Sequence, residues 1–95
     1  MEQFSIGGVV IPQWQSHKKV WASKIINEYE RESLGPDDSS ITWELECGAK
    51  IHVSQKLFAR LPEGGEGIFG YYVRYEDGFE SWSPKEAFES GYTRI

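Results

Sequence analysis

The sequence predicts an α+β domain that is mostly β: a small, bent antiparallel sheet or open barrel made of two hairpins, each followed by a short helix. Three observations predict it. Apolar and polar residues alternate over 41–53 and again over 71–82. A glycine-bearing turn interrupts each alternating run. Each second strand then runs into a Ser-x-Lys helix start, Ser54-Gln55-Lys56 and Ser83-Pro84-Lys85. The shared plan reads as one solution to the strand-to-helix corner used twice, or as a duplication.

Residues 1–16 form an arm, because Gly7-Gly8 and Pro12 break any period. Its apolar points, Phe4, Ile6, Val9, Val10, Ile11 and Trp14, dock either on their own domain or on a neighbour's, which would make a homodimer. Residues 17–95 form the single globular domain. Within 17–34, Trp21, Ala22, Ile25, Ile26 and Tyr29 make a helical stripe, with Ser16 as N-cap and Gly35-Pro36 as stop. On a strand, Trp21, Ile25 and Tyr29 share a face that Ser23 and Asn27 interrupt. Gly35-Pro36-Asp37-Asp38-Ser39-Ser40 is a surface loop.

In the first hairpin Ile41, Trp43 and Leu45 face Ile51 and Val53. A three-residue loop, Cys47-Gly48-Ala49, sets Leu45 opposite Ile51, whereas a two-residue turn would oppose apolar to polar. Ser54 caps a helix over 55–61 that buries Leu57, Phe58 and Leu61 and ends before Pro62. Residues 62–67 connect to the second hairpin. There Asp77-Gly78 signals a two-residue turn, with Val73 opposite Trp82 and Tyr75 opposite Glu80. Ser83-Pro84-Lys85-Glu86 reads as a capping box, and the helix turns Ala87 and Phe88 inward and stops at Gly91. Tyr92-Thr93-Arg94-Ile95 closes as a strand.

Composition bounds the function. The 95 residues are 39% hydrophobic and 15% aromatic, enough for one small core. A net charge of −5 argues against direct nucleic-acid binding, which draws on cations that neutralise phosphates. The single Cys47 allows no internal disulfide, and no apolar run is long enough to span a bilayer, so a reducing cytoplasm and no membrane are expected. The start lacks a signal-peptide pattern.

Most catalytic motifs fail on context. Residues 65–70 satisfy G-x-G-x-x-G, but a dinucleotide site needs a strand before it and a helix N-terminus after it, and here the order is reversed. His17, Cys47 and His52 are the only imidazole or thiol groups, too dispersed for a metal site or an activated nucleophile. The chain therefore reads as a non-enzyme with no cofactor and no metal.

What remains is the aromatic stretch 69–92, which holds eight of the fourteen aromatic residues. With Tyr71, Val73 and Trp82 facing the core, the second face of the hairpin displays Tyr72, Arg74, Glu76, Phe79 and Ser81. Aromatic and arginine side chains concentrate binding energy at interfaces. One small sheet cannot bury both faces of this ribbon, so something must cover the second.

The segment Gly70-Tyr71-Tyr72-Val73-Arg74-Tyr75-Glu76-Asp77-Gly78-Phe79-Glu80-Ser81-Trp82-Ser83-Pro84-Lys85-Glu86-Ala87-Phe88-Glu89-Ser90-Gly91-Tyr92-Thr93 resembles the C-terminal part of small, mostly uncharacterised proteins encoded by tailed bacteriophages and prophages. Lys19-Val20-Trp21-Ala22-Ser23-Lys24-Ile25 resembles their opening segment, which implies a strand over 19–29. The resemblance implies an origin and, with it, an accessory role in the bacterial host cytoplasm. The leading expectation is a non-catalytic protein that binds a host protein, as an inhibitor of a host or defence factor. Its acidic C-terminal third, net −4 over residues 62–95, would favour a basic partner. Two alternatives are a binder of nucleotide-like small molecules through Trp14, Tyr72 and Arg74, and a structural or virion-associated oligomer joined through the arm.

Overall fold

The computed structural model describes residues 3–61, 67–68 and 70–95. The chain is mostly β, in antiparallel sheets that do not close into a barrel. Two short strands, β1 (Ser5–Ile6) and β2 (Val9–Val10), pair with each other through the Gly7-Gly8 turn, both glycines at positive φ. Then follow β3 (Gln13–Gln15), β4 (Lys19–Glu30), β5 (Asp38–Leu45), β6 (Lys50–Ser54), α1 (Gln55–Phe58), β7 (Tyr71–Tyr75), β8 (Glu80–Ser83), α2 (Lys85–Gly91) and β9 (Thr93–Arg94). The arm is thus not free of structure: it supplies three strands.

Strand β4 is the spine. Its first half pairs with β3 and β7, and β3 in turn carries β9. Its second half pairs with β5, which carries β6. The exchange of neighbours falls at two adjacent residues: the Lys24 carbonyl accepts from Glu46 N–H (2.8 Å), and Ile25 N–H donates to the Gly70 carbonyl (2.8 Å). Successive residues of a strand present their backbone groups to opposite edges, so one strand joins both parts of the larger sheet. The helical stripe of 17–34 is overruled by burial on both faces. Val20, Trp21, Ala22, Ser23 and Ile25 are all buried, a pattern without strict alternation that suits an interior strand. Ser23, which interrupts the apolar face, is satisfied: its Oγ accepts from Cys47 N–H (3.1 Å).

Both hairpins turn in the same way, and neither as the alternation implies. Leu45 N–H donates to the Ala49 carbonyl and Gly48 N–H to the Leu45 carbonyl, so the first loop is Glu46-Cys47-Gly48. Tyr75, Phe79 and Gly78 repeat these bonds around Glu76-Asp77-Gly78. In each loop the third residue is a glycine at positive φ (102° and 91°), while Asp77 keeps a negative φ. This is the three-residue hairpin with its left-handed glycine, not the two-residue turn expected for Asp77-Gly78. In the first hairpin the loop moves by one residue and Trp43 faces Ile51, which keeps apolar faces together. In the second the pairing moves by one, so Tyr72 faces Trp82, Val73 faces Ser81 and Arg74 faces Glu80.

Two cores lie on the two sides of the β4–β7 layer. One gathers Ile11, Trp21, Ile25, Trp43, Leu45, Ile51, Val53, Leu57 and Tyr72, with Phe4, Ile6, Val9 and Trp82 packed on it. The other gathers Val20, Ala22, Tyr71, Val73 and Phe88, with Trp14, Tyr75 and Tyr92 against it. Phe88 stacks between Tyr71 (4.3 Å between ring centres) and Tyr92 (4.5 Å). Helix α1 starts at Ser54, whose Oγ accepts from Leu57 N–H (3.1 Å), but it is short and leaves Phe58 44% exposed. No capping box forms at α2, where Ser83 stays in β8 opposite Tyr71, Pro84 takes the cap position, and Ala87 is exposed.

Four aromatic donors, three from the cores and Tyr29 from the exposed end of β4, each end on a glutamate. Trp43 Nε1–H donates to Glu28 (2.8 Å), Tyr71 O–H to Glu89 (2.7 Å), Tyr72 O–H to Glu80, and Tyr29 O–H to Glu44 (2.8 Å). The loop between β4 and β5 is held by Arg31, whose guanidinium clasps the Asp38 carboxylate and also donates to Thr42 Oγ1 (2.7 Å) and the Ile41 carbonyl (3.0 Å). Asp38 also accepts from Leu34 N–H (2.7 Å). Ser40, at φ 68°, carries the backbone through the irregularity between Asp38 and Ile41.

Candidate binding ridge at the second hairpin tip

The tip of β7–β8 is closed by its own hydrogen bonds. The two backbone bonds between Tyr75 and the 78–79 segment close the loop (both 2.9 Å), and Asp77 Oδ1 accepts from Phe79 N–H (2.9 Å). Phe79 follows the left-handed Gly78 and projects outward, 46% exposed. Tyr75 lies 5.8 Å away between ring centres at 55°. The Arg60 guanidinium sits 4.2 Å over the Phe79 ring, and its Nη1 donates to the Glu80 carbonyl (3.1 Å). An exposed cation–π contact of this kind contributes about 0.5–1 kcal/mol, enough to orient the ring.

Phe79 forms a ridge between two grooves. One, of about 580 Å³, is lined by Lys18, Lys19, Tyr75, Glu76, Asp77 and Phe79. The other, of about 370 Å³, is lined by residues that include Lys56, Arg60, Gly78 and Phe79. Lys18, Lys19, Lys56 and Arg60 thus converge on a ridge whose carboxylates are Glu76, Asp77 and Glu80. The strongly acidic surface expected beside this ribbon is not what surrounds its tip, because the cations arrive from β4, its preceding turn and the α1 region.

Of the six residues singled out from the sequence, two line this ridge, Phe79 and Glu76. Tyr72 is a correction: it is fully buried against the first core, its hydroxyl held by Glu80. Arg74 lies over the Phe4 ring (4.3 Å), and Phe4 packs on Trp21 (5.5 Å). The arm therefore covers the face that the sequence leaves open, and it does so on its own domain. Ser81 is half-buried opposite Val73. Trp14 packs edge-on against Phe88 (5.0 Å) and donates Nε1–H to the Ala22 carbonyl (3.2 Å), so it is a core residue rather than a ligand contact. Tyr75, Arg60, Lys18, Lys19 and Lys56 were missed. No local pattern marks the four cations, since only the pairing of β4 with β7 and the contact of α1 with β8 brings them to one place.

Among the described residues no group of three or more His, Cys, Asp or Glu side chains is placed to hold a metal. His52 Nδ1 lies 3.3 Å from Thr42 Oγ1 on the outer face of β5–β6. The G-x-G-x-x-G run lies partly outside the described residues, at Gly65, Glu66 and Phe69. Its described glycines, Gly67 and Gly70, lie against the indoles of Trp43 and Trp82, where a Cβ would collide with the rings. No helix among the described residues is long and apolar enough to cross a membrane. Comparison with protein-family profiles, curated proteins and solved structures found no match.

Proposed function

We propose that the chain is a non-catalytic accessory protein of tailed phages or prophages that binds a host macromolecule in the bacterial cytoplasm, with Phe79 as its anchor. One observation carries the reading: a half-exposed aromatic ring on a hairpin tip that is already fixed by backbone bonds and by Arg60. Pre-ordered aromatic anchors bind well because little conformational freedom is lost on docking. The phage origin is supported by the resemblance of residues 70–93 and 19–25 set out above. Tyr72 and Trp14 leave the proposed contact surface, since both pack internally.

The test is capture from lysate of a prophage-bearing host by the tagged chain, read by mass spectrometry, with wild type beside Phe79→Ala. The variant is expected to keep its melting temperature within a few degrees and to lose the partner. Recovery of the same partner in equal yield by both proteins would defeat the reading.

A further inference from the structure

The groove on the Lys18 side of the ridge has chemistry of its own. Its aromatic lining is Tyr75 and Phe79. Ammonium groups enter from the turn before β4 and its first residue, and carboxylates from the neighbouring turn after β7, because the pairing of Val20 with Tyr75 sets the two turns side by side. Among the described residues the one ion pair is Arg31–Asp38, so neither lysine pairs directly with a described carboxylate. Arg60 lies over the Phe79 ring and lines the other groove, whereas Phe79 and the tilted Tyr75 ring, 5.8 Å away between centres, both line the Lys18 side. The volume, about 580 Å³, falls in the range of small-ligand sites, roughly 300–1,000 Å³.

We infer that this groove binds a nucleoside monophosphate, with GMP and AMP as the probes. The base stacks on Phe79, its N–H edge meets Glu76, and its phosphate meets Lys18 and Lys19. Base-on-aromatic stacking is tolerant of base identity and needs only a presented ring face. The net charge of −5 selects the free nucleotide over a strand, since a run of phosphates would be repelled beyond the two lysines. The inference shares Phe79 with the capture reading but does not depend on it, and the lysines separate the two.

The experiment titrates the full chain with GMP and AMP, and with adenosine, inorganic phosphate and an eight-nucleotide DNA as comparison ligands, by calorimetry and by thermal shift. A ligand that binds the native state raises the melting midpoint. A nucleoside monophosphate is expected to bind and raise the midpoint, with adenosine at least tenfold weaker and phosphate alone without effect. Lys18→Gln with Lys19→Gln is expected to weaken GMP at least tenfold at unchanged midpoint of the free protein. Phe79→Leu, which keeps the apolar bulk and removes the ring face, is expected to do the same. Absence of binding at millimolar nucleotide, or affinity unchanged in the double lysine variant, overturns the inference. DNA binding tighter than GMP overturns the choice of free nucleotide. Partner capture by the double lysine variant reports on the host-binding reading alone, since that reading rests on Phe79.

Discussion

Gly70 lies flat against the indole of Trp82, so close that a Cβ at position 70 would enter the ring, while Trp82 Nε1–H donates to the carbonyl of Gly67 (2.9 Å). Gly67 and Gly70 of the G-x-G-x-x-G run are therefore packing residues. Gly70→Ala forces the indole or the backbone to move, and overpacking of this kind costs about 1–3 kcal/mol. Urea denaturation should show a midpoint lowered accordingly. An unchanged midpoint would mean that the ring shifts freely.

Tyr72 separates burial from display. Tyr72→Ala empties a fully buried aromatic site and is expected to cost about 3–5 kcal/mol, unfolding a domain of this size or nearly so. Tyr72→Phe keeps the ring and loses only the bond to Glu80, at about 1–3 kcal/mol. Circular dichroism melts of both variants test the order of these effects.

Burial first, and then the Glu80 carboxylate, push the Tyr72 hydroxyl well above its ordinary value of 10.0; burial and Glu89 act likewise on Tyr71. A raised value in the fold means stability that is fully present below about pH 10 and is lost as the pH climbs further and the unfolded chain ionises first. Melting temperature should fall above that point, less steeply in Tyr72→Phe.

At the other end of the scale, hydrogen bonds from Arg31, and then from Leu34 N–H, hold the Asp38 carboxyl well below the carboxylate range. The stability it contributes is present above its unfolded value, about pH 4, and is lost as acid protonates it. Asp38→Asn is expected to lower the melting temperature at pH 7 and to flatten the decline between pH 4 and pH 2. Parallel acid limbs for wild type and variant would show that the clasp does not contribute.

Phe4 caps the Tyr72–Arg74 face from within the chain. Phe4→Ala should destabilise by about 1–3 kcal/mol through lost burial, with light scattering giving a monomer for both proteins. A wild-type dimer that dissociates in Phe4→Ala would instead make the arm an exchanged element.

Legibility followed the number of buried faces. The β5–β6 pair was readable because Ile41, Trp43, Ile51 and Val53 alternate with polar residues, so any workable register keeps them on one face. Strand β7 buries Tyr71, Tyr72 and Val73 in succession and has no polar face to fix its register. A shift of one residue there exchanged the partners of Trp82 and turned Tyr72 from a displayed side chain into a core one. The shared loop pattern, a glutamate opening and a glycine closing the three residues in both hairpins, was the available clue. Phe79 was legible as a tip residue, but the cations about it come from chain segments 19 or more positions away, and only strand pairing and helix docking assemble them.

One strand, β4, joins the β3–β7 part of the larger sheet to its β5–β6 part, and its neighbours change over between Lys24 and Ile25. The molecule accordingly has no seam along which to divide. A break at mid-strand would deprive each half of its backbone partner at once, so amide protons around 22–25 should exchange with solvent only through global opening, and the two look-alike hairpin units would not survive as separate pieces.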